Sequence, residues 1–261
     1  MKAFIPAACA CLAASIALQP AAAQERRSID VRVGLGVEVK PDYPGADEVG
    51  FGPLVNVDVR RGDDEFEFEA PDESFGFSIA SAGGFKFGPA LNLESSRKPS
   101  EVGAAVPKVS TTFEAGGFVQ YALSDSFRLR TELRQGLGGH DGLVGNVGAD
   151  FIARDGDKYV FSIGPRVLFS DGQYQRAYFG VTPAVAAATG LAAFRPDGGI
   201  YGVGATAGLL FQLGGPWGVY SYARYDRLLE DAEDSPITRS FGSADQFSGG
   251  LALTYTFNVR R

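Results

Sequence analysis

From Ser126 to Leu137 the chain reads Ser-Phe-Arg-Leu-Arg-Thr-Glu-Leu-Arg-Gln-Gly-Leu. Phe127, Leu129, Thr131 and Leu133 hold the odd positions, and Arg128, Arg130, Glu132 and Arg134 the even ones. A β-strand sends successive side chains to opposite faces, so this stretch has one greasy face and one strongly charged face. A sheet packed on a soluble core can carry that pattern too. Here the same alternation recurs along nearly the whole chain, behind a secretory signal. The combination predicts a transmembrane β-barrel whose outside meets lipid and whose inside is wet.

Met1 to Ala23 reads as a signal peptide: Lys2 supplies the positive start, Ala3 to Leu18 the apolar stretch, and Pro20-Ala21-Ala22-Ala23 the small residues before cleavage at Gln24. The apolar run is short for a membrane-spanning helix, which needs about 20 residues, and no Leu-rich block precedes Cys9 or Cys11 to make a lipoprotein site. The expected division is therefore a signal over residues 1–23 and one barrel domain over residues 24–261. Both cysteines fall inside the signal. The exported chain then has neither disulfides nor thiolate metal sites. With no other apolar run long enough to span as a helix, a closed barrel is the spanning solution that satisfies every backbone group. A net charge of -7 argues against nucleic acid as a partner, because phosphate binding needs a basic face. The 35 glycines, 20 Phe and 10 Tyr suit the bends and interfacial girdles of a barrel.

Strand candidates follow one another along the chain. Ile29 to Val39 places six aliphatic residues on one face. Pro53 to Arg60 sets Val55, Val57 and Val59 against Asn56, Asp58 and Arg60. Glu65 to Ala70 alternates Phe66 and Phe68 with three glutamates, and Ser74 to Ala80 is strand-like but weaker. Phe85 to Glu94, Thr111 to Leu123, Phe127 to Leu137, Leu143 to Arg154 and Lys158 to Phe169 come next. Ile200 to Leu213, Trp217 to Leu229 and Gln246 to Phe257 complete a set of about twelve. The expected fold is all-β: a transmembrane, antiparallel, up-and-down β-barrel.

The connections alternate in length, as outer-membrane barrels require. Arg61 to Asp64, Ala82 to Gly84, Ser124 to Ser126, Asp155 to Asp157 and Gly214 to Pro216 are short and rich in Gly, Asp or Ser, like tight hairpins. They are the expected periplasmic turns. The long connections, Ser95 to Lys108, Ser170 to Gly199 and Glu230 to Asp245, are the expected outer loops.

Few residues point to chemistry. His140, the only histidine, sits in Gly138-Gly139-His140-Asp141-Gly142. A general base at the outer rim is one reading; a solvated turn residue is the favoured one, since no partner serine or aspartate and no G-x-S-x-G elbow is marked. One His without Cys cannot make a histidine-rich metal site. Glu230, Asp231, Glu233 and Asp234 have the oxygen chemistry for a divalent cation, but lack calcium-loop spacing and read as an exposed charged loop. No cofactor is expected and no enzyme activity. The even face of the strands projects Arg32, Glu38, Lys86, Glu114, Arg128, Arg130, Glu132, Arg134, Asp150, Arg154, Arg166, Arg224 and Asp226 into the lumen. They are read either as a pore lining or, preferably, as a plug of mutually paired side chains. Tyr174 to Ala193 is too apolar for a free loop; it is expected to fold inward or cap the mouth, with a partner surface as the alternative.

Four stretches carry a family resemblance: Gly34-Leu35-Gly36 with Pro41-Asp42-Tyr43-Pro44-Gly45-Ala46; Ala177-Tyr178-Phe179-Gly180-Val181-Thr182 with Gly198-Gly199; Tyr225-Asp226-Arg227-Leu228-Leu229 with Asp231-Ala232-Glu233-Asp234-Ser235-Pro236-Ile237; and Gln246 to Leu251 with Tyr255-Thr256-Phe257. They resemble the MipA/OmpV family of outer-membrane proteins, named for an MltA-interacting protein. The resemblance implies a barrel in the cell outer membrane of a Gram-negative bacterium that scaffolds peptidoglycan-remodelling enzymes, a murein lytic transglycosylase and a penicillin-binding synthase. Other relatives are described as surface antigens or adhesins, or linked to antibiotic response. The family has no established catalytic residues to carry over. One departure is that Asn258-Val259-Arg260-Arg261 follows Phe257, where such barrels end on an aromatic residue. The function expected is that of a non-enzymatic scaffold or surface protein in contact with outer-membrane lipid. A small-solute channel is the alternative, and a rim-active hydrolase a more distant one.

Overall fold

A computed structural model describes residues 28–259. The expected signal peptide and the closing arginines lie outside the described residues. Twelve strands and five short helices follow in chain order: β1 (Ile29–Pro41), β2 (Val49–Arg61), β3 (Phe75–Gly76), β4 (Ala80–Ala82), β5 (Phe85–Glu94), α1 (Pro99–Val102), β6 (Thr112–Ser124), β7 (Phe127–Leu137), β8 (Leu143–Asp155), β9 (Tyr159–Ser170), α2 (Gly172–Phe179), α3 (Pro183–Thr189), β10 (Gly199–Gly214), β11 (Trp217–Leu228), α4 (Glu230–Asp234), α5 (Pro236–Phe241) and β12 (Asp245–Val259). No described helix is long and apolar enough to cross a membrane.

The strands form one antiparallel sheet in the order β2-β1-β12-β11-β10-β9-β8-β7-β6-β5-β3, with β4 also on β5. The first strand thus pairs with the last, Val33 opposite Tyr255, and the sheet curls into a barrel wall. Burial follows the pleat. In β7 the residues Phe127, Leu129, Leu133 and Leu137 are exposed outward, and Arg128, Arg130, Glu132 and Arg134 are buried inward. All short hairpins lie at one end of the barrel. The tightest joins β10 to β11, where Gly214 pairs with Trp217 and Gly215 takes φ 54°, a left-handed conformation that glycine adopts at little cost. All long loops lie at the other end.

Strand direction exposes one departure from the expected closed wall. The ladders make β5, β7, β9, β11 and β1 run from the turn end to the loop end, and their partners run back. β3 and β4 pair with successive parts of β5, offset by one residue, and so are two halves of one bulged strand. That strand and β2 both run toward the turn end. The chain between them must climb back, and residues 65–74 do so inside the lumen.

Glu65 to Ala70 is therefore not the wall strand that its alternation predicts. Its side chains find interior partners that a wall position could not offer. The Phe66 ring lies 4.1 Å from the Arg32 guanidinium and 4.8 Å from that of Arg60, and Phe68 lies 4.4 Å from Arg128. Among the described residues no ladder joins β2 to β3 or β4. The wall is a curled sheet with a seam there, in place of the full closure expected.

The apolar core also sits where a barrel interior would not put it. It forms a cap over the loop end, built from Tyr43, Tyr174, Tyr178, Phe179, Val181, Leu228 and Ile237 among others. Tyr174 to Ala193 thus folds as two helices that cap the mouth, the capping alternative of the sequence reading.

Candidate functional site

The lumen is organised by the arginine ladder of β7 and the segment that climbs it. Arg128 donates from Nη2 to Asp150 Oδ2 at 2.6 Å and also engages Glu73 of the climbing segment. Arg130 binds Glu132 at 2.7 Å and Gln120 at 2.9 Å, lies 3.4 Å from Glu73, and stacks 3.7 Å over the Phe118 ring. Arg134 bridges Glu114 at 2.8 Å and Glu132 at 2.7 Å. Two strands away in the wall order, Arg166 of β9 grips Asp72 and Asp150. These groups are almost wholly buried. Isolated buried charges would be severely penalised, and here each guanidinium meets at least one carboxylate.

The remaining inward candidates occupy the two ends. Near the turns, Arg32 pairs with Asp58 at 2.8 Å. Arg154 contacts Glu65 and Asp157, both at 3.1 Å, and donates to the Phe66 carbonyl. Lys86 pairs with Glu67 and is well exposed, 40% for its side chain, so it lies at a margin rather than in the packed interior. Toward the loops, Arg224 pairs with Asp226 at 2.6 Å. Glu38 accepts from the Tyr222 hydroxyl at 2.9 Å and lies 3.2 Å from Lys40.

Several interior residues escaped the sequence reading. Asp72 and Glu73 were hidden because they follow Pro71, where strand alternation ends. Arg60 was placed on a strand, yet its hydrogen bonds to Asp30 at 2.6 and 2.8 Å and its contact with Asp157 draw the turn end together.

His140 departs from its expected solvated position. It is buried, and its Nδ1 accepts from the Gly142 amide at 3.1 Å. That contact leaves the proton on Nε2, which donates to Glu114 at 3.0 Å. The reason is local: the bare Cα of Gly136 admits the ring, which a Cβ there would meet at 2.2 Å, and Tyr174 covers it edge-on at 5.0 Å. The acidic run from Glu230 is also not a free loop. It forms α4, where Glu233 pairs with Arg227, Asp234 with Arg239, and Asp231 accepts from the Asp197 amide at 2.8 Å. Among the described residues no group of three or more His, Cys, Asp or Glu could hold a metal ion.

The cap is locked by few polar ties. Asp171 accepts from the amides of Gln173 and Tyr174, both at 2.9 Å, which satisfies the free N-terminus of α2. Ser235 donates to the Phe179 carbonyl at 2.7 Å, joining the start of α5 to the end of α2. Arg97, in the loop after β5, donates to the carbonyls of Tyr178 at 2.6 Å and Pro107 at 2.9 Å. Gln246 accepts from the Gly45 amide at 3.0 Å and donates to the Ala46 carbonyl at 2.9 Å. The four stretches that carry the family resemblance thus contribute Tyr43, Tyr178, Ser235 and Gln246 to one region.

Among curated proteins no relative matches the chain. Solved structures that it resembles include the KdgM porin, with TM-score 0.36 and 11% identity over 88% of this chain and 99% of that one. The NanC porin gives 0.37 and 10% over 87% and 98%. The outer membrane channel DcaP of Acinetobacter baumannii gives 0.37 and 7% over 88% and 96%. The family described as MltA-interacting protein MipA matches residues 33–257, so this chain belongs to the MipA family and is an outer-membrane β-barrel protein.

Proposed function

We propose that this protein is a non-enzymatic scaffold of the outer membrane whose lumen does not conduct, and that its partner is a murein lytic transglycosylase. The observation that carries the closed lumen is the climb of residues 65–74 through the barrel, held by Asp72 on Arg166 and by Glu73 on Arg128. A path for solute would have to break these buried pairs and pass the aromatic cap. The family description supports the choice of partner. In this reading the short turns face the periplasm and present the partner surface, together with the chain that leads into β1; a penicillin-binding synthase joins through the transglycosylase. The inward arginines and carboxylates serve as a paired plug rather than a selectivity lining.

The test has two arms. The full exported chain, purified from envelopes, is used to capture a soluble lytic transglycosylase, and is separately placed in a planar bilayer. Capture with an electrically silent bilayer supports the proposal. Stable unit conductance overturns the closed lumen and favours the small-solute channel. Failure to retain the transglycosylase overturns the scaffold.

A further inference from the structure

At the loop end, above the climbing segment and below the cap, the barrel encloses a cavity of about 350 Å3. Most charges around it are matched. Glu114 has Arg134, Glu38 has Lys40, and Asp72 and Glu73 are held by arginines of the ladder. Two lining carboxylates are not matched: among the described residues, neither the Asp42 nor the Glu94 side chain makes a hydrogen bond or an ion pair, and the hydrogen bond that Asp42 does make is donated by its backbone amide. Asp226 also lines the cavity, is only 9% exposed, and carries a buried Oδ1 with no hydrogen-bond partner. Tyr43, Tyr174, Tyr201 and Tyr222 also line it. Unmatched carboxylates attract a cation, and aromatic faces favour one that sheds its water easily, which describes an ammonium better than a small metal ion.

The same cavity is lined by the end of β5 that borders the seam. Its lining runs from inward Asn92 and Glu94 to Leu93, whose side chain faces outward and is 67% exposed. Residues 92–94 of β5 have β6 on one side only, because β3 begins opposite Leu91. The edge of β5 is therefore unpaired on the seam side beside the cavity, in the half of the wall nearest the loops.

We infer that this cavity binds a monovalent organic ammonium carrying an apolar chain. The ammonium sits between Glu94 and Asp42 under the tyrosines, and the chain leaves through the seam past Leu93 into the lipid. The ion pairs of Asp72 and Glu73 close the floor, so the ligand is held and not passed through. The inference does not depend on the scaffold reading.

The test is isothermal titration of the folded full chain in maltoside micelles with hexyltrimethylammonium, a probe of about ten non-hydrogen atoms that such a volume accommodates. Saturable binding of one probe per chain is expected, at least ten-fold weaker in both Glu94→Gln and Asp42→Asn. Tetramethylammonium, which lacks the chain, should bind more weakly, and hexanoate should not bind. Absence of saturable binding, unchanged affinity in both variants, or equal binding of hexanoate overturns the site. Equal affinity for tetramethylammonium overturns the exit through the seam. Folding of each variant is checked by its heat-modifiable mobility. If Glu94→Gln does not fold, Asp42→Asn, which lies in a loop, decides the matter alone.

Discussion

Arg166 holds Asp72 through two parallel hydrogen bonds, Nε to Oδ2 at 2.7 Å and Nη2 to Oδ1 at 2.9 Å. The Nη2 group also reaches Asp150 Oδ1 at 2.8 Å. One side chain thus fastens the climbing segment to the barrel and joins β9 to β8. Fork-to-fork pairing of this kind fixes direction as well as distance.

Removing that fork should release the segment. Arg166→Met leaves Asp72 and Asp150 buried without their shared counter-ion, and breaking a buried pair from one side costs roughly 3–5 kcal/mol. Urea unfolding in lipid vesicles should show a loss of that order, and planar-bilayer recording should show current steps absent from the parent. A variant that is both as stable as the parent and silent means that Arg166 does not hold the plug.

The lipid face of β7 gives a second prediction. Leu133 is exposed outward midway along a strand whose alternate residues are buried arginines and a glutamate. Leu133→Lys should cost roughly 2–4 kcal/mol if the residue lies near the bilayer midplane, and much less toward the interface. Leu137→Lys, one turn of the pleat from the loops, serves as the shallower comparison. Equal costs at the two positions would remove the inferred placement of the strand across the membrane.

The β7 alternation was legible in the sequence because a strand of period two leaves no other way to sort Arg128, Arg130, Glu132 and Arg134 from Phe127, Leu129 and Leu133. Hairpin turns were legible for the same local reason. The path of Glu65 to Ala70 was not. Its alternation is as clean as that of a wall strand, and what diverts it is the set of guanidinium groups gathered in the lumen, Arg32 and Arg60 from β1 and β2 and Arg128 and Arg154 from β7 and β8, far along the chain. His140 was misplaced in the same way. Nothing local announces that Gly136 will receive its ring or that Glu114, 26 residues earlier, will accept its hydrogen bond. The apolar excess in Tyr174 to Ala193 did signal packing, but its partners Tyr43 and Ile237 come from loops at the two extremes of the chain.

Arg97 should govern how tightly the cap is closed. It is 1% exposed, meets two carbonyls and no carboxylate, and lies 6.0 Å from the Tyr43 ring and 5.8 Å from that of Tyr178. Hydrogen bonds from a charged donor contribute roughly 1.5–3 kcal/mol each. Arg97→Met keeps most of the apolar stem while removing both bonds. The loop that holds it should then become sensitive to protease added from the loop side, while the strands remain protected. Unchanged protection would mean that apolar packing alone seals the cap.

Alkaline pH should loosen the same region. Burial pushes the Tyr43 phenol up to about 12; Arg97 pulls it down, and Asp47, Asp42 and Glu101 push it further up. Burial also raises Tyr174 and Tyr178 of α2. An unfolded tyrosine ionises near pH 10. Between that value and about pH 12 the unfolded chain has released a proton that folded Tyr43 retains. Stability is then fully present below pH 10 and falls by about 1.4 kcal/mol per pH unit for this one group as pH rises through the window. Tyr43→Phe cannot ionise there, so its cap should lose stability less steeply than that of the parent. Protease accessibility of the loops measured from pH 9 to 12 reads the difference. Parallel curves for the two chains would show that Tyr43 is not held neutral by the packed cap.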